Sequence, residues 1–88
     1  MDGTIVLNHT AGRVLRRAGG NVCVRDVLDC GGGFGVGDTV YLTFRAVDGG
    51  QYMIATGVVA CAENVLKQML GAPTETVIVR EHELKLLW

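Results

Sequence analysis

Arginine spacing supplies the strongest chemical signal in the chain. Arg13, Arg16 and Arg17 recur at i, i+3 and i+4, a spacing that groups side chains along one side of a helix. Arg25 follows on the next segment. A guanidinium group is a planar fork of donors that suits a phosphate better than a point charge does, so the group reads as a candidate phosphate-binding face. Such a face could meet the phosphates and 2′-hydroxyls of A-form RNA. A solvated helix face, or a contact with a neighbouring domain, accounts for the same spacing. No aromatic run of the kind that stacks bases in sheet-type RNA binders accompanies the arginines.

Other residues with chemical potential lack the partners that chemistry requires. The run Gly31-Gly32-Gly33-Phe34-Gly35-Val36-Gly37-Asp38 is rich in glycine. A dinucleotide fingerprint beginning at Gly33 would need glycine where Asp38 stands, and no Lys-Ser or Lys-Thr pair follows to make a nucleotide loop. The run is therefore expected to be a turn. His9 and His82 are the only imidazoles, the second between Glu81 and Glu83; a metal site would need further ligands at helical or hairpin spacing, and the nearest cysteines offer no such motif. Cys23, Cys30 and Cys61 are odd in number without a Cys-x-x-Cys pair, so they are expected to be small apolar core residues. No catalytic residue, metal or cofactor is implied.

The balance of Lys plus Arg (8) against Asp plus Glu (9) gives a net charge of −1, which excludes a broadly basic nucleic-acid coat but allows a local patch. Eighty-eight residues suffice for one compact domain. The apolar runs are far shorter than the ~18 residues of a membrane span, and the start does not read as a secretory signal, so a cytoplasmic address is expected.

The elements that must position these residues follow from periodicity. Gly3 to Leu7 reads as a strand. Asn8-His9-Thr10 supplies helix-capping residues, and Ala11, Val14, Leu15 and Ala18 form an apolar stripe opposite the arginines, ended by Gly19-Gly20. Val22 to Leu28 reads as a strand. From Thr39 the chain alternates, with Val40, Leu42, Phe44 and Ala46 on one face, and Asp48-Gly49-Gly50 turns it back through Gln51 to Ala60. A second helix is expected over Cys61 to Leu70. Its apolar face is Cys61, Ala62, Val65, Leu66, Met69 and Leu70, with a Glu63–Lys67 pair outside and Gly71 and Pro73 ending it. Thr76 to Arg80 and Leu84 to Leu87 read as two closing strands. The order β-α-β-β-β-α-β-β predicts a mostly β (α+β) fold, a small open barrel of about six strands with two short helices, spanning residues 1–88 as one domain.

In this order the residues resemble the PUA domain, in the version found at the C-terminus of glutamate 5-kinases. Gly3-Thr4-Ile5-Val6 corresponds to the first strand and Ala11 to the alanine that opens the helix. Gly32-Gly33-Phe34-Gly35-Val36-Gly37-Asp38 satisfies Gly-x-Phe-x-x-Gly-Asp at each fixed position. Ile54-Ala55-Thr56-Gly57 resembles the hairpin exit, and Val77-Ile78-Val79-Arg80 the closing strand with its arginine. The chain departs from the pattern at Asn8, where the family has an acidic residue, and at Thr10, where it has glycine. Asn21 to Val27 replaces a Ser-Leu-Leu-Pro-x-Gly-Val stretch without its proline and glycine.

The resemblance implies a PUA-like pseudo-barrel that performs no catalysis, docks structured RNA through the first helix and the segment after it, and thus uses Arg13, Arg16, Arg17 and Arg25. It also implies an origin as the accessory domain of a glutamate 5-kinase, the ATP-dependent enzyme that opens proline synthesis, whose kinase catalytic domain would be the partner within the parent chain. A regulatory or oligomerisation domain without RNA binding remains an alternative. So does a free-standing PUA protein linked to RNA modification. Trp88 or an apolar strand edge could support self-association.

Overall fold

In the computed structural model, which describes residues 3–70 and 76–86, the alternating stretch after Asp38 lies inside a single curled sheet. The elements are β1 (Thr4–Leu7), α1 (His9–Ala18), β2 (Val22–Cys23), a 3-10 turn (Val24–Asp26), β3 (Val27–Gly31), β4 (Thr39–Arg45), β5 (Gln51–Val59), α2 (Glu63–Met69) and β6 (Val77–Leu86). The sheet order is β2-β6-β5-β4-β1-β3, with β1 parallel to β4 and every other pairing antiparallel.

Closure of the sheet follows from this order. Its two outer strands, β2 and β3, are consecutive in sequence and joined only by Val24–Asp26. A three-residue link cannot cross a flat six-stranded sheet, so the sheet curls until its ends nearly meet. That shields the outer strand edges from pairing with other chains. The segment Val22 to Leu28, expected as one strand, is therefore broken: β2 pairs with β6 and β3 with β1. Asp26 holds the corner, its carboxylate accepting the Cys23 N–H at 3.2 Å.

The inward faces of the strands supply the core: Ile5, Leu7, Val40, Leu42, Ile78 and Val79 are essentially inaccessible. Leu15 from α1, Leu66 from α2 and Phe34 from the glycine-rich loop complete it. A bulge in β5 opposite Leu42 and Thr43 lets both Ile54 and Ala55 face inward. The expected closing strands are a single β6, bent where its pairing to β5 slips between Gly57 and Val59. The charged run Arg80 to Glu83 occupies that irregular stretch, which is why the sequence reads there as a gap between strands.

Helix α1 begins as expected, with the Asn8 side chain accepting the Ala11 N–H at 2.7 Å, and ends at Gly19, whose φ of 71° suits glycine. Its buried stripe differs from the expected one. Gly12 and Leu15 are buried, whereas Val14 is 55% exposed and Ala18 lies outside. Gly12 directs this rotation, because only a residue without a side chain lets the helix sit on Phe44. In α2, Leu66 is buried and Val65 faces outward. The Glu63 carboxylate reaches back to accept the Gly33 N–H at 2.8 Å. Gly71, Pro73 and Trp88 lie outside the described residues, as does Leu87. No helix among the described residues is long and apolar enough to cross a membrane.

Candidate nucleic-acid interface

A groove of about 440 Å³ runs between α1 and the segment Asn21–Asp26. Its floor is apolar, made by Leu7, Leu15 and Val22, residues that also belong to the core. Thr10 and the exposed Val14 line the helix wall; Asn21 and Arg25 line the other. Three hydrogen bonds fix these walls. Asn8 donates its N–H to the Asp26 carbonyl at 2.9 Å, tying the start of α1 to the 3-10 turn. The Asp26 carboxylate braces Cys23, and the Asn21 side-chain oxygen accepts the Glu81 N–H at 2.8 Å, fastening the far wall to β6. The concavity is thus preformed.

The four arginines do not converge on one point. A residue step in a helix is about 100°, so Arg16 and Arg17 fall on opposite sides of Arg13. Arg13 and Arg17, one turn apart, crown the outer surface of α1 beside the groove, both exposed. Arg25 stands exposed on the opposite wall. Arg16 turns away and lines a second hollow of about 310 Å³ with Phe44, Tyr52, Met53 and Ile54. Arg25 is therefore the arginine that lines the groove itself, Arg13 and Arg17 stand exposed on the helix that forms its other wall, and Arg16 lies on the far flank of α1. The departures from the family pattern at Asn8 and Asn21 lie in the groove itself, where each supplies a carboxamide in a structural hydrogen bond.

The helical period predicts Val14 in the core and gives no sign of Tyr52 and Met53. Val14 continues the apolar stripe of α1, and nothing in that stripe reveals that Gly12 has rotated the helix. Tyr52 and Met53 lie in a strand whose bulge is not visible in its alternation. The glycine-rich loop is a fold-making device. Gly32 and Gly37 take φ of 99° and 87°, Phe34 plugs the core, and the Asp38 carboxylate accepts the Gly35 N–H at 2.8 Å.

Of the cysteines, Cys30 is buried while Cys23 and Cys61 are partly accessible, which corrects the expectation of three core thiols. Burial raises the pKa of the Cys30 thiol, with the nearby Glu63 charge adding to the effect, and burial alone raises that of Cys61. Both are thereby held as neutral thiols, unlike activated nucleophiles. His82 lies 3.6 Å from the Glu83 carboxylate at the surface. Among the described residues, no three of His, Cys, Asp and Glu gather to hold a metal ion.

No protein-family model matches the chain, and no curated protein matches it by sequence. A solved structure does: a PUA domain from Aeropyrum pernix K1, determined as a tartrate complex, is similar to 92% of this chain with a TM-score of 0.77 at 17% identity. The chain spans 42% of that protein's length. The fold is thus the PUA pseudo-barrel, a mostly β architecture with two short helices.

Proposed function

We propose that the chain is a non-catalytic module that docks structured RNA in the groove between α1 and Asn21–Asp26, with Arg13, Arg17 and Arg25 holding its phosphates. The observation that carries this reading is a preformed groove with an apolar floor, with Arg25 on one wall and the exposed Arg13 and Arg17 on the helix that forms the other. Opposed cations would grip a phosphate backbone from two sides, while the floor accepts a sugar or base edge. Net charge of −1 is no obstacle, since attraction depends on the local field.

The test is fluorescence anisotropy with a labelled structured tRNA across a salt series. The triple variant Arg13→Ala, Arg17→Ala, Arg25→Ala should weaken binding and flatten the salt dependence by about one unit of slope for each phosphate that is no longer neutralised. No binding at about 50 mM salt, where attraction to phosphate is strong, would overturn the reading. It would leave a regulatory or assembly domain.

A second reading concerns origin: this RNA-docking unit would be the accessory domain of a larger cytoplasmic enzyme, a glutamate 5-kinase of proline biosynthesis. The match at Gly32, Phe34, Gly37 and Asp38 favours it. Those four residues build the loop itself, so they speak for the fold more directly than for the parent enzyme. Adding the domain to a glutamate 5-kinase catalytic fragment and following its assembly and activity tests the link. No change in either would remove it.

A further inference from the structure

Donors and acceptors are unevenly placed in the groove between α1 and Asn21–Asp26. The Asn8 side-chain oxygen already accepts the Ala11 N–H at 2.7 Å, and the Asn21 side-chain oxygen accepts the Glu81 N–H at 2.8 Å. What each carboxamide keeps for a ligand is chiefly its NH2 group. Among the described residues, Asp26 is the only acid that lines the groove. Its side chain is half-buried, where a hydrogen bond is stronger than in open water. The Cys23 N–H engages its Oδ2 at 3.2 Å. A carboxylate has about four lone-pair sites, so this bond leaves Asp26 able to accept further donors. The corner of the fold does not demand an acid, since the PUA pattern has glycine at this position of the Asn21 to Val27 stretch. A carboxylate in a groove that holds phosphates weakens that hold unless it meets a donor on the ligand.

We infer that Asp26 reads an unpaired guanine of the bound RNA, its carboxylate accepting the guanine N1–H and N2–H2. The inference rests on the RNA-docking reading and names the base that the groove selects. Sequence-specific recognition of RNA takes unpaired bases by their Watson–Crick edge. On that edge guanine is the base with two adjacent donors, the complement of a carboxylate. Cytosine and adenine each offer one amino group beside a ring nitrogen that accepts, and uracil has a single N–H between two carbonyls. Each of these sets an acceptor against the carboxylate, which repels it. Guanine O6, next to N1–H, needs a donor in turn. Asn8 stands beside Asp26, tied to it by the 2.9 Å bond from its backbone N–H, and its NH2 group supplies one. Leu7, Leu15 and Val22 give the ring an apolar floor, and a groove of about 440 Å³ has room for a purine with its sugar.

Fluorescence anisotropy on the whole chain compares one RNA hairpin with different single-stranded tails, attached at either end: uridine alone, guanosine alternating with uridine, and inosine in place of each guanosine. The guanosine tail should bind about tenfold more tightly than the uridine tail. Inosine lacks only the N2 amino group and should lose most of that gain. Asp26→Asn keeps an acceptor for the Cys23 N–H but removes the charge. It should erase most of the guanosine preference and strengthen binding of the uridine tail, a rise that damage to the corner would not produce. Guanosine that binds no better than uridine or inosine overturns the inference, as does a preference that survives Asp26→Asn. A fall in binding of both tails in Asp26→Asn would make Asp26 a structural residue only and also overturn it. The inosine comparison uses the unaltered chain, so it decides even if Asp26→Asn proves unstable on thermal unfolding. In each of these cases the groove reading stands if the hairpin still depends on Arg13, Arg17 and Arg25. Failure of every tailed hairpin to bind at about 50 mM salt removes both.

Discussion

A Cβ atom placed on Gly12 would lie 2.5 Å from Cβ and Cγ of Phe44. This approach seats α1 on β4 and decides which side chains of the helix face the groove and which face the hollow at Phe44 and Tyr52. Gly12→Ala should therefore destabilise the protein by about 1–3 kcal/mol through overpacking, despite the helical preference of alanine over glycine. Urea unfolding measures the loss. Trimming the ring in Gly12→Ala/Phe44→Leu should recover part of it.

Asn8 has two structural duties, capping α1 through its side chain and tying the helix to Asp26 through its backbone N–H. Asn8→Ala removes only the first and should cost about 1 kcal/mol. Asn8→Asp should retain the cap. It would also place a negative charge in the groove, so RNA affinity is expected to fall while thermal stability stays near that of the parent.

The glycine-rich loop separates fold from function. Gly37 has φ of 87°, so Gly37→Ala should cost about 1–2 kcal/mol from left-handed backbone strain. Asp38→Ala deprives the Gly35 N–H of its acceptor at about 1 kcal/mol. Neither residue lines the groove. Both variants, measured below their unfolding temperatures, should bind RNA as the parent does.

Thiol titration supplies a pH prediction. Cys30 and Cys61 have pKa values raised above those of the unfolded chain, chiefly by burial. The folded state thus holds their protons more tightly than the unfolded state does. The corresponding stability is fully present below the unfolded pKa and declines as pH rises through the folded one, that is, in the alkaline range above about pH 9. Unfolding free energy followed from pH 7 upward should fall there, and replacing both residues by serine should flatten the decline. Iodoacetamide should modify Cys30 more slowly than a free thiol at neutral pH.

Periodicity exposes most of the architecture: the alternation of Val40 and Leu42, the Asp48-Gly49-Gly50 turn and the Asn8 and Gly19 ends of α1 are local signals, and each forms as read. The failures occur where distant residues overrule local pattern. Val22 to Leu28 looks like one strand because its β-rich composition does not record that its halves pair with β6 and β1. Val14 joins the apolar period of α1, yet Phe44, a residue far along the chain, turns that position outward through Gly12. The arginine spacing identifies a charged helix surface. It does not reveal that Arg16 belongs to a different hollow from Arg25, because that depends on which side of α1 the sheet occupies.

Chemical-shift mapping by two-dimensional NMR, with a structured RNA titrated into the isotopically labelled chain, tests the central claim most directly. The largest amide shifts should fall on Thr10, Ala11, Val14, Asn21 and Arg25 around the groove, while Gly35 to Asp38 in the glycine-rich loop remain unmoved. Shifts concentrated on that loop or on β6, or none at low salt, would contradict it.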